Sequence, residues 1–166
     1  MTRPNVSLVA IAKNESLYLT EWIAYHFAIG FDRIYVYNND SRDRSLELLE
    51  ATAAIEPRLS IINWPTNEHS GPQEAAYNHA AQHVGSEWVA FLDIDEFMVP
   101  WRDMSITDYL RTMPDDVSSM HVNWRGFGSN GRLSPIYDSV IETFTACSQK
   151  NWGNNYHYKS IIRTRA

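Results

Sequence analysis

Four short apolar runs alternate with segments of helical periodicity across the first 97 residues, and this alternation limits the fold more than any other feature. Residues 6–12 (VSLVAIA) are apolar but for Ser7, as expected of a strand covered on both faces. In 16–29, Leu17, Trp22, Ile23, Phe27 and Ala28 recur at helical spacing, and Gly30 supplies the stop. Residues 33–37 are β-branched and aromatic, so a second strand is expected there. Asn38-Asn39-Asp40-Ser41 then forms a polar turn, and Ser41 or Asp43 is placed to cap a helix near 45–55. A third strand is expected at 59–64, a loop containing His69, Ser70 and Gly71 at 65–72, an Ala-rich helix at 73–84 and a fourth strand at 87–92. The order β-α-β-α-β-α-β implies an α/β fold with a parallel sheet and right-handed crossovers.

In such open sheets ligands bind beyond the carboxyl ends of the strands. Polar groups stand at three of those ends: Lys13, Asn14 and Glu15 after the first strand, Asn38, Asn39 and Asp40 after the second, and Asp93, Asp95 and Glu96 after the fourth. Past residue 97 the pattern changes. A short helix is expected at 106–113, strands at 120–124, 140–146 and 160–164, and a Gly-rich loop at 125–132 (RGFGSNGR). This half reads as a mixed continuation of the same sheet. The 166 residues suit a single domain, with 1–97 as the half whose strand ends carry the polar groups and 98–166 as the half that continues the sheet.

Charge and cysteine content narrow the partners. The net charge of −6 gives no bulk attraction to nucleic acid or anionic membranes. A phosphorylated ligand then calls for a local positive charge, and a divalent cation is the simplest source. The single cysteine, Cys147, allows no intrachain disulfide, and the apolar run at 6–12 is too short to span a membrane. Both suit a cytoplasmic protein without an integral membrane segment.

The acidic end of the fourth strand carries the sharpest chemistry. Asp93 and Asp95 follow the apolar run Trp88-Val89-Ala90-Phe91-Leu92, and at strand spacing they project to one side with Ile94 opposite. Two adjacent carboxylates repel unless solvent or a cation relieves them. Mn²⁺ or Mg²⁺ takes oxygen ligands, commonly one or two carboxylates plus substrate phosphates. Such an ion neutralises charge growing on a diphosphate leaving group. A solvated acidic turn, with Asp95 capping a short helix, is the plainer account of the same string.

Together with VAIAKNE (9–15), EW (21–22), YNNDSRDRS (37–45), QEAAYNHA (73–80), WVAFLDIDEF (88–97), GFGSNG (126–131), VIETF (140–144) and HYKSIIR (157–163), this motif resembles the nucleotide-sugar glycosyltransferases of the GT-A fold, in the family-2-like and family-92-like branch. The resemblance implies that Asp93 and Asp95 hold the metal on the nucleotide diphosphate, and that Lys13, Asn14 and Glu15 border the nucleotide. Many family-2 enzymes carry D-D-x-S-x-D after the second strand. Here the two leading aspartates are Asn38 and Asn39, followed by Asp40. Gln73 and Asn78 are expected to face the nucleotide, Lys159 to contact a phosphate, and His157 to serve as a third metal ligand. The implied activity is inverting transfer of a sugar from a nucleotide-diphosphate sugar, a UDP-sugar first, to a glycan, lipid-linked or small acceptor. Glu142 is the expected general base and Asp138 the second choice. The family pattern often runs on to a later histidine, so the 98–166 half reads as a shortened version.

Other classes remain in view. An aspartyl phosphohydrolase usually sets its D-x-D near the first strand and runs on toward Thr. A nucleotidyltransferase usually has a Gly-rich basic loop after strand one, and AIAKNES has no glycine. A non-catalytic nucleotide- or sugar-binding module shares the fold and is the serious alternative.

Overall fold

The structure, a computed structural model, describes residues 4–66, 71–100, 105–134 and 138–164. His69 and Ser70 of the expected loop lie outside these residues. Four strands, β1 (Val6–Ala12), β2 (Arg33–Asn38), β3 (Leu59–Asn63) and β4 (Trp88–Phe91), alternate with helices α1 (Leu19–Ala28), α2 (Ser45–Ile55) and α3 (Pro72–His83). Beyond them lie α4 (Ile106–Arg111), β5 (Ser119–Asn123), α5 (Val140–Thr143), a short 3-10 helix at Gly153–Tyr156 and β6 (Tyr158–Arg163). All six strands form one sheet in the order β3-β2-β1-β4-β6-β5. β1 to β4 run parallel, while β6 is antiparallel to both β4 and β5.

Alternation along the strands divides the core into two layers. Val6, Leu8, Ala10 and Ala12 of β1 pack with Leu19, Trp22 and Ile23 of α1, Leu49 of α2 and Ile106 and Leu110 of α4. Val9 of β1 and Val89 of β4 face the other way, against Ala76 and Ala80 of α3. Trp22 and Trp88 are fully buried, and burying a large apolar side chain contributes about 1.5–3 kcal/mol. α1 and α2 therefore cover one face and α3 the other, with the reversal between β1 and β4. That reversal opens the crevice in which α/β sheets bind ligands. Gly30 closes α1 at φ +105°, where any side chain would be strained and would press on Ser105.

Two expectations need correction. Residues 140–146 are not a strand. The Ser139 hydroxyl accepts from the Glu142 N–H, and the Glu21 carboxylate accepts from Ser139 Oγ and the Val140 and Ile141 N–H groups. An anchored N-terminus thus overrides the β-propensity of Val140 and Ile141. Asp93 and Asp95 also do not continue strand β4, because the Glu96 N–H donates to the Asp93 carbonyl and closes a turn. Ile94 is still the buried residue of the three. Among the described residues no helix is long and apolar enough to cross a membrane.

Candidate active site

The turns after β1 and β2 are laced together at the carboxyl edge. Asn14 is left-handed (φ 62°). Its N–H donates to Ser41 Oγ (3.2 Å), and its Oδ1 accepts from the Arg42 N–H (2.7 Å). The Glu15 N–H donates to Ser45 Oγ (2.8 Å), and Asp43 accepts from the N–H groups of Ser16 and Ser45. Burial works against the Asp43 charge, but the Ser45 and Ser16 hydrogen bonds outweigh it and hold the carboxyl well below the usual range. Asp40, left-handed at φ 52°, accepts from the Thr66 N–H (2.8 Å), which lowers its pKa. Lys13, Asn14, Asp40, Ser41, Arg42 and Thr66 line an open cleft of about 700 Å³.

Asn38 and Asn39 are buried rather than lining this cleft. Asn39 is a strut: its Nδ2 donates to the Trp64 carbonyl (2.7 Å) and its Oδ1 accepts from Thr66 Oγ1 (3.2 Å). Asn38 Oδ1 is buried without a hydrogen-bond partner. A carboxylate at either position would place a buried charge there, and the Asn39 amide ties the end of β2 to the segment after β3.

Asp93 is the hub of the second cluster. Its Oδ2 accepts from Lys159 Nζ at 2.6 Å, and its Oδ1 accepts from Gln73 Nε2 at 2.9 Å and from the Tyr77 hydroxyl at 3.4 Å. Lys159 also meets Glu96 Oε2 at 3.1 Å, and the same Glu96 oxygen accepts the Asp93 N–H at 3.0 Å. Burial alone would lower the Lys159 pKa, but Asp93 and Glu96 outweigh it and raise it above the usual lysine value. Burial, and the Asp93 charge after it, push the Tyr77 phenol up, so it stays a donor.

Asp95 is exposed and accepts no hydrogen bond from the described residues. Its charge is nonetheless felt, because burial first, then Asp95, Asp43 and Asp93, raise the Glu15 pKa. Four carboxylates therefore crowd the crevice mouth, with Lys159 compensating one side of the group. Among the described residues no three His, Cys, Asp or Glu side chains converge tightly enough to hold an ion alone. An ion here would bind to Asp95 and neighbouring carboxylate oxygens and complete its shell with phosphate and water. That donor set suits Mn²⁺ or Mg²⁺.

The remaining expected residues scatter. His157 is exposed and stands beside Trp124, with ring centroids 5.1 Å apart. Asn78 is exposed on α3, one residue beyond the position that meets Asp93. Asp138 and Glu142 are exposed on the segment that Glu21 ties to α1. No hydrogen bond joins either to Asp93 or Asp95 among the described residues.

The sequence reading missed Tyr77, Glu96 as a partner of Lys159, and Glu21. Tyr77 was findable, since it lies four residues after Gln73 and shares its helical face. The Lys159–Glu96 pair was not, because it depends on β6 inserting beside β4. The segment after the acidic turn is pinned from behind by α1. Trp22 Nε1 donates to the Glu96 carbonyl (2.8 Å), the Tyr25 hydroxyl to the Met98 carbonyl (2.9 Å), and the Met98 N–H to His26 Nε2 (3.3 Å).

Residues 6–166 match the family model of glycosyltransferase family 92. A glycosyltransferase family 92 protein of Oryza sativa subsp. japonica is 30% identical over 98% of this chain and 27% of its own length. One of Arabidopsis thaliana is 30% identical over 90% of this chain and 27% of its own length. The chain thus spans about a quarter of the length of these curated relatives. Among solved structures, the mannosyltransferase PcManGT from Pyrobaculum calidifontis, in complex with GDP-Man and Mn²⁺, superposes with a TM-score of 0.57 at 21% identity, over 72% of this chain and 35% of that one. That likeness shows the fold, a GT-A-type sheet flanked by helices.

Proposed function

This chain belongs to glycosyltransferase family 92, and we propose that it carries a sugar-transfer site at the carboxyl edge of its sheet. The donor is a nucleotide-diphosphate sugar, with UDP-sugars the first class to test, and the acceptor is a hydroxyl. The observation that carries the reading is the Asp93 cluster. Side chains from α3, the β4 turn and β6 meet on one carboxylate while Asp95 beside it faces solvent. Lys13, Asn14 and Asp40 border the nucleotide in the adjoining cleft.

In this reading the two aspartates divide the work. Lys159, Gln73 and Tyr77 hold Asp93, and Asp95 meets the divalent ion on the diphosphate. When bound, Mn²⁺ or Mg²⁺ supplies charge neutralisation to the departing nucleoside diphosphate. Inverting transfer needs a base on the acceptor side. Glu142 takes that role, with Asp138 as the second choice, on the segment anchored by Glu21. The cytoplasmic placement expected from the single cysteine stays part of the proposal.

Calorimetry with UDP, GDP and dTDP tests it, with and without Mn²⁺, alongside donor hydrolysis by the corresponding sugars. Asp95→Asn should weaken Mn²⁺-dependent binding by about tenfold or more and leave thermal stability near wild type. Equal affinity in wild type, Asp95→Asn and chelator would remove the metal from the reading. Binding without hydrolysis or transfer would make the chain a binding module.

A further inference from the structure

Strand β6 brings a lysine into the acidic mouth of the crevice. Ile161 pairs with Ala90 of β4 and is buried in the core. Lys159, two residues away on the same face of β6, therefore lies just beyond the end of β4, beside its acidic turn. Its ammonium is enclosed on three sides: Asp93 Oδ2 stands at 2.6 Å, Glu96 Oε2 at 3.1 Å and the Trp124 ring centroid at 5.6 Å. Only 17% of the lysine side chain is exposed. The two carboxylate oxygens come from different residues and converge on one point, which Nζ fills. Asp93 Oδ1 is taken as well, by Gln73 Nε2 at 2.9 Å and the Tyr77 hydroxyl at 3.4 Å. Asp95, exposed beside them, is the carboxylate of this turn that accepts no hydrogen bond from the described residues.

We propose that Lys159 is the resident counter-cation of the crevice and makes divalent-ion binding conditional on the nucleotide diphosphate. The inference rests on the sugar-transfer reading for the identity of the ion and the diphosphate. Charge and ligand number carry it. Mn²⁺ or Mg²⁺ is commonly held by one or two carboxylates plus substrate phosphates. In the nucleotide-free chain a fixed ammonium already answers the Asp93 and Glu96 charges, and a dication approaching Asp95 meets that ammonium as a like charge. One exposed carboxylate offers too few ligands to hold the ion against it. A diphosphate changes the count, because its oxygens complete the ion's shell and its negative charge offsets the Lys159 charge. The ion therefore enters with the nucleotide rather than ahead of it. The lysine also keeps Asp93 and Glu96 side by side, so the empty crevice needs no ion to relieve their repulsion.

The test titrates the 166-residue protein with Mn²⁺ alone and with Mn²⁺ plus UDP or GDP, against nucleotide without protein as the blank. Free Mn²⁺ is read by electron paramagnetic resonance, and thermal melts are run in parallel. Wild type should hold Mn²⁺ about tenfold or more tighter with the nucleotide than without it. Lys159→Ala frees the point where Asp93 and Glu96 converge. It should bind Mn²⁺ alone about tenfold more tightly than wild type, with a matching rise in melting temperature. Lys159→Gln, whose amide can still donate to a carboxylate but carries no charge, should move the same way and decides the matter if the alanine variant does not fold. Lys159→Arg keeps the charge and should behave as wild type. Arg163→Ala controls for loosening of β6: Arg163 lies on the same strand, over the Trp88 ring and 3.7 Å from Glu87, and its loss should leave Mn²⁺ affinity within about twofold. The proposal is overturned if folded Lys159→Ala or Lys159→Gln binds Mn²⁺ alone no better than wild type, if Arg163→Ala gains as much, or if wild type binds nucleotide yet holds Mn²⁺ as tightly without it. Failure of the donor reading looks different: neither nucleotide would bind with or without Mn²⁺, while Lys159→Ala still gained affinity for the ion alone.

Discussion

Residues 6–98 supply nearly all the buried apolar side chains, from Val6 and Leu8 to Ile94 and Met98, whereas among the described residues beyond them Ile106, Leu110 and Ile161 are buried in that core and Met113, Val117, Met120 and Val122 pack on it half-buried. The later half leans more on directional bonds: Asn155 across three loop segments, Glu21 onto the start of α5, and Lys159 across Asp93 and Glu96. The difference separates two demands. A donor site must hold carboxylates close against their own repulsion, which a packed two-layer core can enforce. If, as proposed, the acceptor meets the later half, that half must keep an open surface, which leaves it less apolar area to bury.

The largest effect should come from breaking the packed half. Leu49 of α2 is fully buried in the core cluster it shares with residues of β1, β2 and α1. Leu49→Ala should cost about 2–5 kcal/mol in a single cooperative unfolding transition. A loss under about 1 kcal/mol would mean that packing does not carry this half.

Acid should act on the same half through His26. It sits among the rings of Trp22, Tyr25, Phe31 and Phe97, with Nδ1 against the Trp22 carbonyl and Nε2 accepting the Met98 N–H. Burial lowers its pKa to about 4, against a partly opposing hydrogen bond to Trp22. The unfolded chain therefore binds the extra proton first, between the ordinary value of 6.5 and about 4. Stability from this residue is complete above the upper value and is lost as pH falls through that window, by about 3 kcal/mol at most. His26→Gln, which cannot ionise, should flatten that part of the pH profile. Parallel wild-type and variant curves between pH 7 and 4 would contradict the assignment.

Asn155→Ala attacks the second half at its knot. It strands the Gly126 N–H and the Gln149 carbonyl, and should cost about 1–3 kcal/mol. Amide exchange should speed up across residues 124–157 and stay unchanged in β1 to β3. Uniform acceleration would erase the distinction between the halves.

The same contrast explains what the sequence disclosed. β1 is readable at the boundaries it has because an apolar run records burial on both faces, and α2 because the polar turn before it supplies Asp43, which accepts from the Ser45 N–H. The carboxyl-edge location of Asp93, Asp95, Lys13 and Asn14 followed from strand order. Residues 140–146 misled because Val140, Ile141 and Phe144 look like a strand locally, while their conformation is set by Glu21, more than a hundred residues away. Lys159 reads as a phosphate contact in the sequence, but its carboxylate partners emerge only once β6 pairs with β4. Asn38 and Asn39 read as substituted ligands and are, for Asn39, a strut. Side chains that satisfy distant backbone groups leave no periodic trace.

The smallest predicted effect on stability joins the halves and bears most directly on catalysis. Glu21 stands in the first turn of α1, and its carboxylate accepts from Ser139 Oγ (2.8 Å) and the N–H groups of Val140 (2.6 Å) and Ile141 (3.2 Å). α5 has only four residues and no buried side chain, so this carboxylate and the Ser139 hydroxyl are its main support. Glu21→Ala should cost about 1 kcal/mol or less globally, since the freed N–H groups can turn to water. Exchange at Val140, Ile141 and Glu142 should nevertheless rise sharply. If Glu142 is the base, its placement depends on this anchor. Glu21→Ala should then lower kcat while leaving nucleotide affinity near wild type, and Glu142→Gln should lower it about a hundredfold or more. Combining the two should add little, because a displaced base and an absent base fail at the same step. Full turnover in Glu142→Gln would move the base to Asp138 on the same anchored segment. Full turnover in Glu21→Ala would show that the anchor serves the fold alone.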